Sequence, residues 1–261
     1  MKATMNLERA LSAAVAAANA AQSVLLEHFG RVDLGVEFKG DGSPVTMADK
    51  AAEREVRRVL GERTPELPVF GEEQGDDAPE ADLTWVVDPI DGTISFVHGL
   101  RFFGTLIALW DRREDSVLVG VLNLPALGEM FSAATGTGLL LNGAPHQTRP
   151  RTEGRTLVGM GDRAQFLASS CGDEFALMCG AHPYVRGYTD AFGHAQVLQG
   201  GLDVMVDPGL KPWDLLASRC LLDEAGLTMR RRASQGEEGS EDAILGRAEE
   251  VDSMARLLGW G

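Results

Sequence analysis

Along the chain the apolar positions change period, and each change predicts a different kind of element. From about residue 6 to 29 Ala, Leu and Val dominate and Gly30 follows, the composition and stop signal of a long helix. The turn-rich run Lys39-Gly40-Asp41-Gly42-Ser43-Pro44 precedes a second helix, whose Ala52, Val56, Val59 and Leu60 share one face. Leu67 to Phe70 reads as a short strand leading into Gly71-Glu72-Glu73, and Trp85-Val86-Val87 as a buried one. The stretches Phe102 to Trp110 and Ser116 to Leu122, around the polar turn Asp111-Arg112-Arg113, predict antiparallel strands. Glu129 to Ala134 and the hairpin signal Asn142-Gly143 add more.

Beyond a polar segment from Pro145 to Gly154 the order becomes alternation. A strand at Leu157 to Met160, helical stretches from about Arg163 and Ala191, a strand at Leu202 to Val206 and a helix from Trp213 to Ala225 are expected. The pattern therefore predicts two subdomains: residues 1–150, α+β with an antiparallel sheet, and residues 151–261, α/β. The charged run from Arg230-Arg231-Arg232 to Asp242 reads as a solvated loop.

Composition narrows the class. A chain of 261 residues, 44% of them hydrophobic, has enough material for a proper core. Its formal charge of −15 argues against non-specific nucleic-acid binding and favours a cationic substrate or a metal. Cys171, Cys179 and Cys220 form no CxxC pair, so neither a disulfide framework nor a zinc cage is suggested, and a reducing cytoplasm is expected. The apolar run Ala10 to Leu26 carries Asn19, Gln22 and Ser23 and follows Glu8 and Arg9, so it reads as an amphipathic helix and not a signal peptide. No other stretch approaches the roughly 20 apolar residues that span a bilayer, and no membrane partner is expected.

The candidate chemistry gathers at Trp85 to Gly99. Asp88 and Asp91 stand at the mouth of a buried strand with no basic residue between Trp85 and His98. Two close carboxylates raise each other's pKa unless a positive charge lies between them, and a divalent cation with hard oxygen ligands is the simplest solution. Asp91-Gly92-Thr93 reads as a helix start whose free N–H groups suit an anion. The residues alone leave a plainer reading open, in which Asp88 ends a strand, Pro89 turns and Asp91 caps a helix. Asp49 likewise fits a capping box with Thr46, and Asp214 fits an N-terminal helix cap. Gly136-x-Gly138 is no dinucleotide fingerprint, because no strand-turn-helix unit surrounds it.

With Gly71-Glu72-Glu73 ahead of Trp85-Val86-Val87-Asp88-Pro89-Ile90-Asp91-Gly92-Thr93, and Trp213-Asp214 with Glu224-Ala225-Gly226 behind, the chain resembles the inositol monophosphatase family. These are magnesium-dependent, lithium-sensitive phosphomonoesterases, and the resemblance runs from Lys39 to about Gly226. It implies a layered α-β-α-β-α sandwich of the sugar-phosphatase type, often paired as a homodimer, acting on a small-molecule phosphate monoester with two or three Mg²⁺ per site. Glu72, Asp88 and the carbonyl of Ile90 would hold the first ion, and Asp88, Asp91 and Asp214 the second. Asp49 would hold water of a weaker third, Lys39 would approach the site, and Glu73 would orient Glu72. A water oriented by Thr93 and Glu72 would attack phosphorus while the phosphate rests on the N–H groups of Gly92 and Thr93. No covalent intermediate is expected, since the chain lacks a DxDxT run.

The runs Tyr188-Thr189-Asp190-Ala191-Phe192-Gly193-His194 and Met205-Val206-Asp207-Pro208 look more like the histidinol-phosphatase branch than the inositol branch. Asp190 and Asp207, with Asp91, would then face a leaving group bearing an ammonium and an imidazole, as in L-histidinol phosphate. Inositol monophosphate stands second, and a sugar bisphosphate or 3′-phosphonucleotide third. On the residues alone Asp190 equally caps a helix and Asp207 ends a strand, and His194 reads as a packed or surface histidine. The chain departs from the family pattern at Ser95, where Asn often follows the turn, and at Leu227, where a second glycine is common. A catalytically silent regulator would have lost a ligand, yet Glu72, Asp88, Asp91, Thr93 and Asp214 are all in place.

Overall fold

The buried strand expected at Trp85 is the spine of the fold. In a computed structural model, residues 6–40, 42–152, 154, 156–188 and 190–260 are described. Asp41 of the turn-rich loop and Thr189 beside Asp190 lie outside them.

The chain begins with α1 (Leu7–His28), a two-residue hairpin of β1 (Glu37–Phe38) and β2 (Pro44–Val45), and α2 (Met47–Arg63). Then come β3 (Val69–Gly71), β4 (Gly75–Asp76), β5 (Leu83–Asp91), the short α3 (Thr93–Val97), β6 (Gly104–Asp111) and β7 (Ser116–Leu124). They are followed by β8 (Glu129–Ala134), β9 (Leu140–Leu141) and β10 (Ala144–Pro145). These last eight strands form one sheet in the order β10-β9-β8-β7-β6-β5-β3-β4, antiparallel except where β3 runs beside β5. The remainder comprises β11 (Val158–Met160), α4 (Arg163–Ala168), α5 (Gly172–Ala181), β12 (Val185–Gly187), α6 (Asp190–Gln199) and β13 (Val204–Leu210). It ends with α7 (Pro212–Glu224), β14 (Thr228–Ala233), β15 (Glu241–Gly246) and α8 (Ala248–Leu257). Its five-stranded sheet has the order β12-β11-β13-β15-β14, with parallel and antiparallel pairs.

Side-chain alternation on β5 shows how the layers stack. Trp85 and Val87 point into a core shared with α1 and α2, whereas Val86 joins a second core made with α6, α7, Met205 and Leu245. A third core, around Phe166, Val204, Ile244 and Trp260, closes the far face of the five-stranded sheet with α4, α5 and α8. The architecture is thus the layered α-β-α-β-α sandwich, and β5, buried on both faces, reads as an apolar run for that reason. The Trp85 indole N–H donates to Thr64 Oγ1 at 3.0 Å, which locks β5 to the end of α2.

By length and composition α1 could cross a membrane, but Ala10, Ala13, Ala14, Ala17, Ala18, Ala21 and Leu25 are fully buried against the sheet. The loop expected from Arg230 to Asp242 is corrected: β14 and β15 pair antiparallel from Thr228↔Gly246 to Ala233↔Glu241, leaving only residues 234–240 as a connection. Arg231 pairs with Glu241 and Asp115, and Arg232 pairs with Asp242 and Glu174 while stacking 4.2 Å above the Trp260 ring. Paired guanidinium groups on long apolar stems can lie along a sheet, so charge density alone misjudged this stretch.

Candidate active site

The site forms because β5 breaks its ladder. Residues three apart on a regular strand face opposite sides, so Asp88 and Asp91 would diverge. Between them the register with β6 shifts: Asp88 lies opposite Leu106 and Asp91 opposite Gly104. The extra residue is a β-bulge containing Pro89, whose carbonyl accepts from Thr105 Oγ1 at 2.9 Å, and it turns both acids to one side. Gly92 follows at φ 90°, where an added Cβ would lie 2.8 Å from the Phe102 carbonyl oxygen. Five residues make a poor helix alone, yet α3 is anchored by Phe96, buried edge-on against Phe103 at 4.9 Å.

Asp214 reaches the same place from the other sheet, at the third position of α7 behind Pro212. Its Oδ2 accepts the Lys211 N–H at 2.8 Å, a true helix cap, and Asp214 also joins Asp88 and Asp91 with one oxygen of each within 4.8 Å of the others. The helix cap is thus formed, and the same side chain joins the acid cluster. Asp88 Oδ1 is buried with no hydrogen-bond partner among the described residues.

Electrostatics agree. Burial, then Glu72, Asp91 and Asp214, push the Asp88 carboxyl well above the usual range. Burial, then Asp190, Asp214, Asp207 and Glu72, do the same to Asp91. Asp214 is pushed up to about 8 by burial and then by Glu72. Buried acids crowded by acids, one with an oxygen lacking a donor, fit a divalent cation with hard oxygen ligands, the donor set preferred by Mg²⁺.

Glu72 stands beside this trio, raised by burial, with Lys39 countering. The Lys39 ammonium lies 2.6 Å from Glu72 Oε1 and 2.6 Å from Glu73 Oε1. Burial would lower the Lys39 pKa, but these carboxylates override it and hold it above its ordinary value. Asp49, buried, closes the expected capping box through Thr46 N–H at 2.8 Å and Thr46 Oγ1 at 2.6 Å. Its other oxygen lies 3.3 Å from Thr93 Oγ1, which also sits 2.9 Å from the Ile90 carbonyl. Burial raises Asp49 above the usual range despite the Thr46 bonds.

A cavity of about 210 Å³ opens here, lined by Ser43, Pro44, Glu72, Gly92, Thr93, Ile94, Ser95, Asp162 and Asp190. A roomier cleft of about 430 Å³ between α1 and the outer strands, lined by residues such as Asn19, Gln22 and Asn123, includes no titratable side chain. Asp190 opens α6 at φ 60° with its carboxylate against Gly92. Asp207 does not line the cavity. It is fully buried, Oδ1 accepting from Gln165 Nε2 at 2.7 Å and Oδ2 lying 3.2 Å from His194 Nε2. The direct substrate contact expected of Asp207 is therefore not available in this arrangement; the pocket feels its charge. His194 is packed, its Nδ1 2.7 Å from Ser218 Oγ. Sequence reasoning missed Asp162, whose only signal was a polar residue before a helix; it caps α4 through Gln165 N–H at 2.9 Å and borders the cavity.

Comparison with known proteins follows the same lines. The chain is 36% identical over 220 residues to a histidinol-phosphatase of Chlorobaculum parvum, covering 83% of each chain. It is 34% identical to a histidinol-phosphatase of Mycobacterium tuberculosis, covering 83% of this chain and 85% of that one. A solved structure of an inositol monophosphatase from Zymomonas mobilis superposes with a TM-score of 0.81 at 26% identity, covering 98% of this chain and 100% of that one. The profile of the inositol monophosphatase family matches residues 6–257. The chain belongs to the inositol monophosphatase family and is a phosphate-monoester hydrolase.

Proposed function

We propose that this chain is a Mg²⁺-dependent histidinol-phosphatase, hydrolysing L-histidinol phosphate to L-histidinol and phosphate. The observation that carries the substrate is the further acidic side chains beside the cation ligands. Asp190 and Asp162 border the cavity and Asp207 lies behind it, so a leaving alcohol bearing an ammonium meets negative charge where a neutral polyol would gain little. The relatives named histidinol-phosphatase support the same choice.

Asp88, Asp91, Asp214, Glu72 and the Ile90 carbonyl are the residues that would hold two ions, with Asp49 beside a weaker third. When bound, the cations supply positive charge for phosphoryl oxygens and a water more acidic than bulk. The chain's own groups do the rest. The N–H groups of Gly92 and Thr93, free of intrahelical partners, cradle the phosphate. Glu72 and the Thr93 hydroxyl orient the attacking water. Its proton passes to Thr93, whose own hydrogen goes to Asp49, a base made stronger by burial. An O–P bond forms, the bond to the alcohol oxygen breaks, and that oxygen takes a proton from solvent.

The inositol monophosphate reading is favoured by the Zymomonas likeness. Cys171, Cys179 and Cys220, all unpaired, suit a reducing compartment such as the cytoplasm, and a homodimer is the assembly the family implies. Measuring kcat/KM with Mg²⁺ for histidinol phosphate, inositol 1-phosphate and an aryl phosphate tests the substrate. Histidinol phosphate is expected to lead; if it turns over no faster than the aryl phosphate while inositol phosphate does, the assignment is wrong.

A further inference from the structure

Glu53, one turn along α2 from Asp49, has a fully buried carboxylate for which the chemistry above has no use. A buried carboxylate must be surrounded by donors, and the identity of those donors is informative. Oε2 accepts the Glu73 N–H at 2.8 Å, and Oε1 accepts the Gln74 N–H at 3.1 Å. Oε1 also accepts Arg57 Nε–H at 2.8 Å, and Arg57 in turn donates to the carbonyls of Val69, at 3.3 Å, and Gly75, at 2.6 Å. The Glu53–Arg57 pair thus grips both legs of the turn that carries Glu72. Gly71 fits this account: a Cβ there would overlap the Glu53 carboxylate, so residue 71 is small because Glu53 needs the space.

We propose that Glu53 is a positioning residue for Glu72. By binding the backbone of residues 73 and 74 it fixes the turn, so that the Glu72 side chain exchanges between Lys39 and a cation without the main chain moving. Because α2 also carries Asp49, which meets Thr93, one helix sets the placement of Glu72 and Thr93 together. Residues that orient ligands from behind typically contribute about 10- to 100-fold in metal affinity. The proposal rests on reading Glu72 as a cation ligand.

The test compares the wild type with Glu53→Gln, Gly71→Ala and Glu72→Gln, all full-length and stripped of metal. Mg²⁺ is titrated by calorimetry, and amide exchange is followed at Glu73 and Gln74. Glu53→Gln keeps the shape and replaces one acceptor by an NH₂ group; Gly71→Ala displaces the carboxylate without altering any ionisable group. Both are expected to weaken Mg²⁺ binding about tenfold and to speed exchange at the two amides. Faster exchange with unchanged Mg²⁺ affinity in both variants, while Glu72→Gln binds weakly, would make Glu53 merely structural and overturn the proposal. Unchanged exchange would overturn it as well. If Glu72→Gln itself binds Mg²⁺ as the wild type does, the ligand reading of Glu72 fails and takes the proposal with it.

Discussion

Strands β5 and β13 break their antiparallel ladders at the same dipeptide, Asp-Pro, and then part ways. In β5 the register shifts between Asp88 and Asp91; in β13 it shifts between Asp207 and Leu210. Each bulge is followed by a helix, α3 in one case and α7 in the other. Yet Asp88 is left with an oxygen that finds no hydrogen-bond partner among the described residues, whereas Asp207 finds Gln165 on one oxygen and His194 on the other. The same local device leaves an acid crowded by other acids in one sheet and an acid held by neighbouring side chains in the other. What decides is the supply of donors: an acid surrounded by acids needs a cation, and an acid with its own donors does not.

The contrast breaks first at turnover. Asp88→Asn is expected to lower kcat/KM by about 10³-fold, because several kcal/mol of cation-supplied stabilisation go with it. Asp207→Asn should weaken Mg²⁺ binding far less in calorimetry, because Asp207 reaches the acid trio only through its charge. If both variants lose Mg²⁺ alike, the distinction between the two bulges is false.

A thermal-melt series sharpens it next. Asp214 is near 8 in the metal-free fold against an ordinary 3.8, so the folded state holds a proton that the unfolded state has released. Stability falls with pH where the folded state binds more protons, so the metal-free protein should lose stability between about pH 4 and 8. Mg²⁺ requires deprotonated ligands, and its stabilisation should grow over the same interval, reaching about 2.7 kcal/mol at a hundredfold excess over Kd. A Mg²⁺ effect independent of pH would contradict the acid cluster.

Gly92→Ala tests the geometry that follows the first bulge. A Cβ at φ 90° and against the Phe102 carbonyl should cost about 1–3 kcal/mol, measured by denaturant unfolding, and should displace Thr93. Asp190→Asn carries the smallest effect, a roughly tenfold higher KM for histidinol phosphate, worth about 1.4 kcal/mol, with the aryl phosphate unmoved. An equal rise for both substrates would give Asp190 a structural role only.

The same contrast explains what the sequence made legible. Trp85-Val86-Val87 announced a strand buried on both faces, and Asp88, Asp91, Glu72 and Asp214 stood out as acids at element ends. That Asp88 and Asp91 share a side was expected from the family resemblance but not explained by their spacing, which points them apart until a bulge with β6 intervenes. The burial of Asp207 was not visible, since it depends on Gln165 and His194 arriving from two other helices. The Arg230–Arg232 run misled for a related reason: its partners Glu174 and Asp115 are remote in sequence, and pairing at a distance has no local signature.

Crystals of the wild-type protein soaked in Mn²⁺, which shares the oxygen ligands of Mg²⁺ and scatters anomalously, give the most direct measurement. The account predicts an anomalous peak contacted by Asp88, Asp91 and Asp214 together. Saturating Mn²⁺ with no peak among these three carboxylates would contradict it.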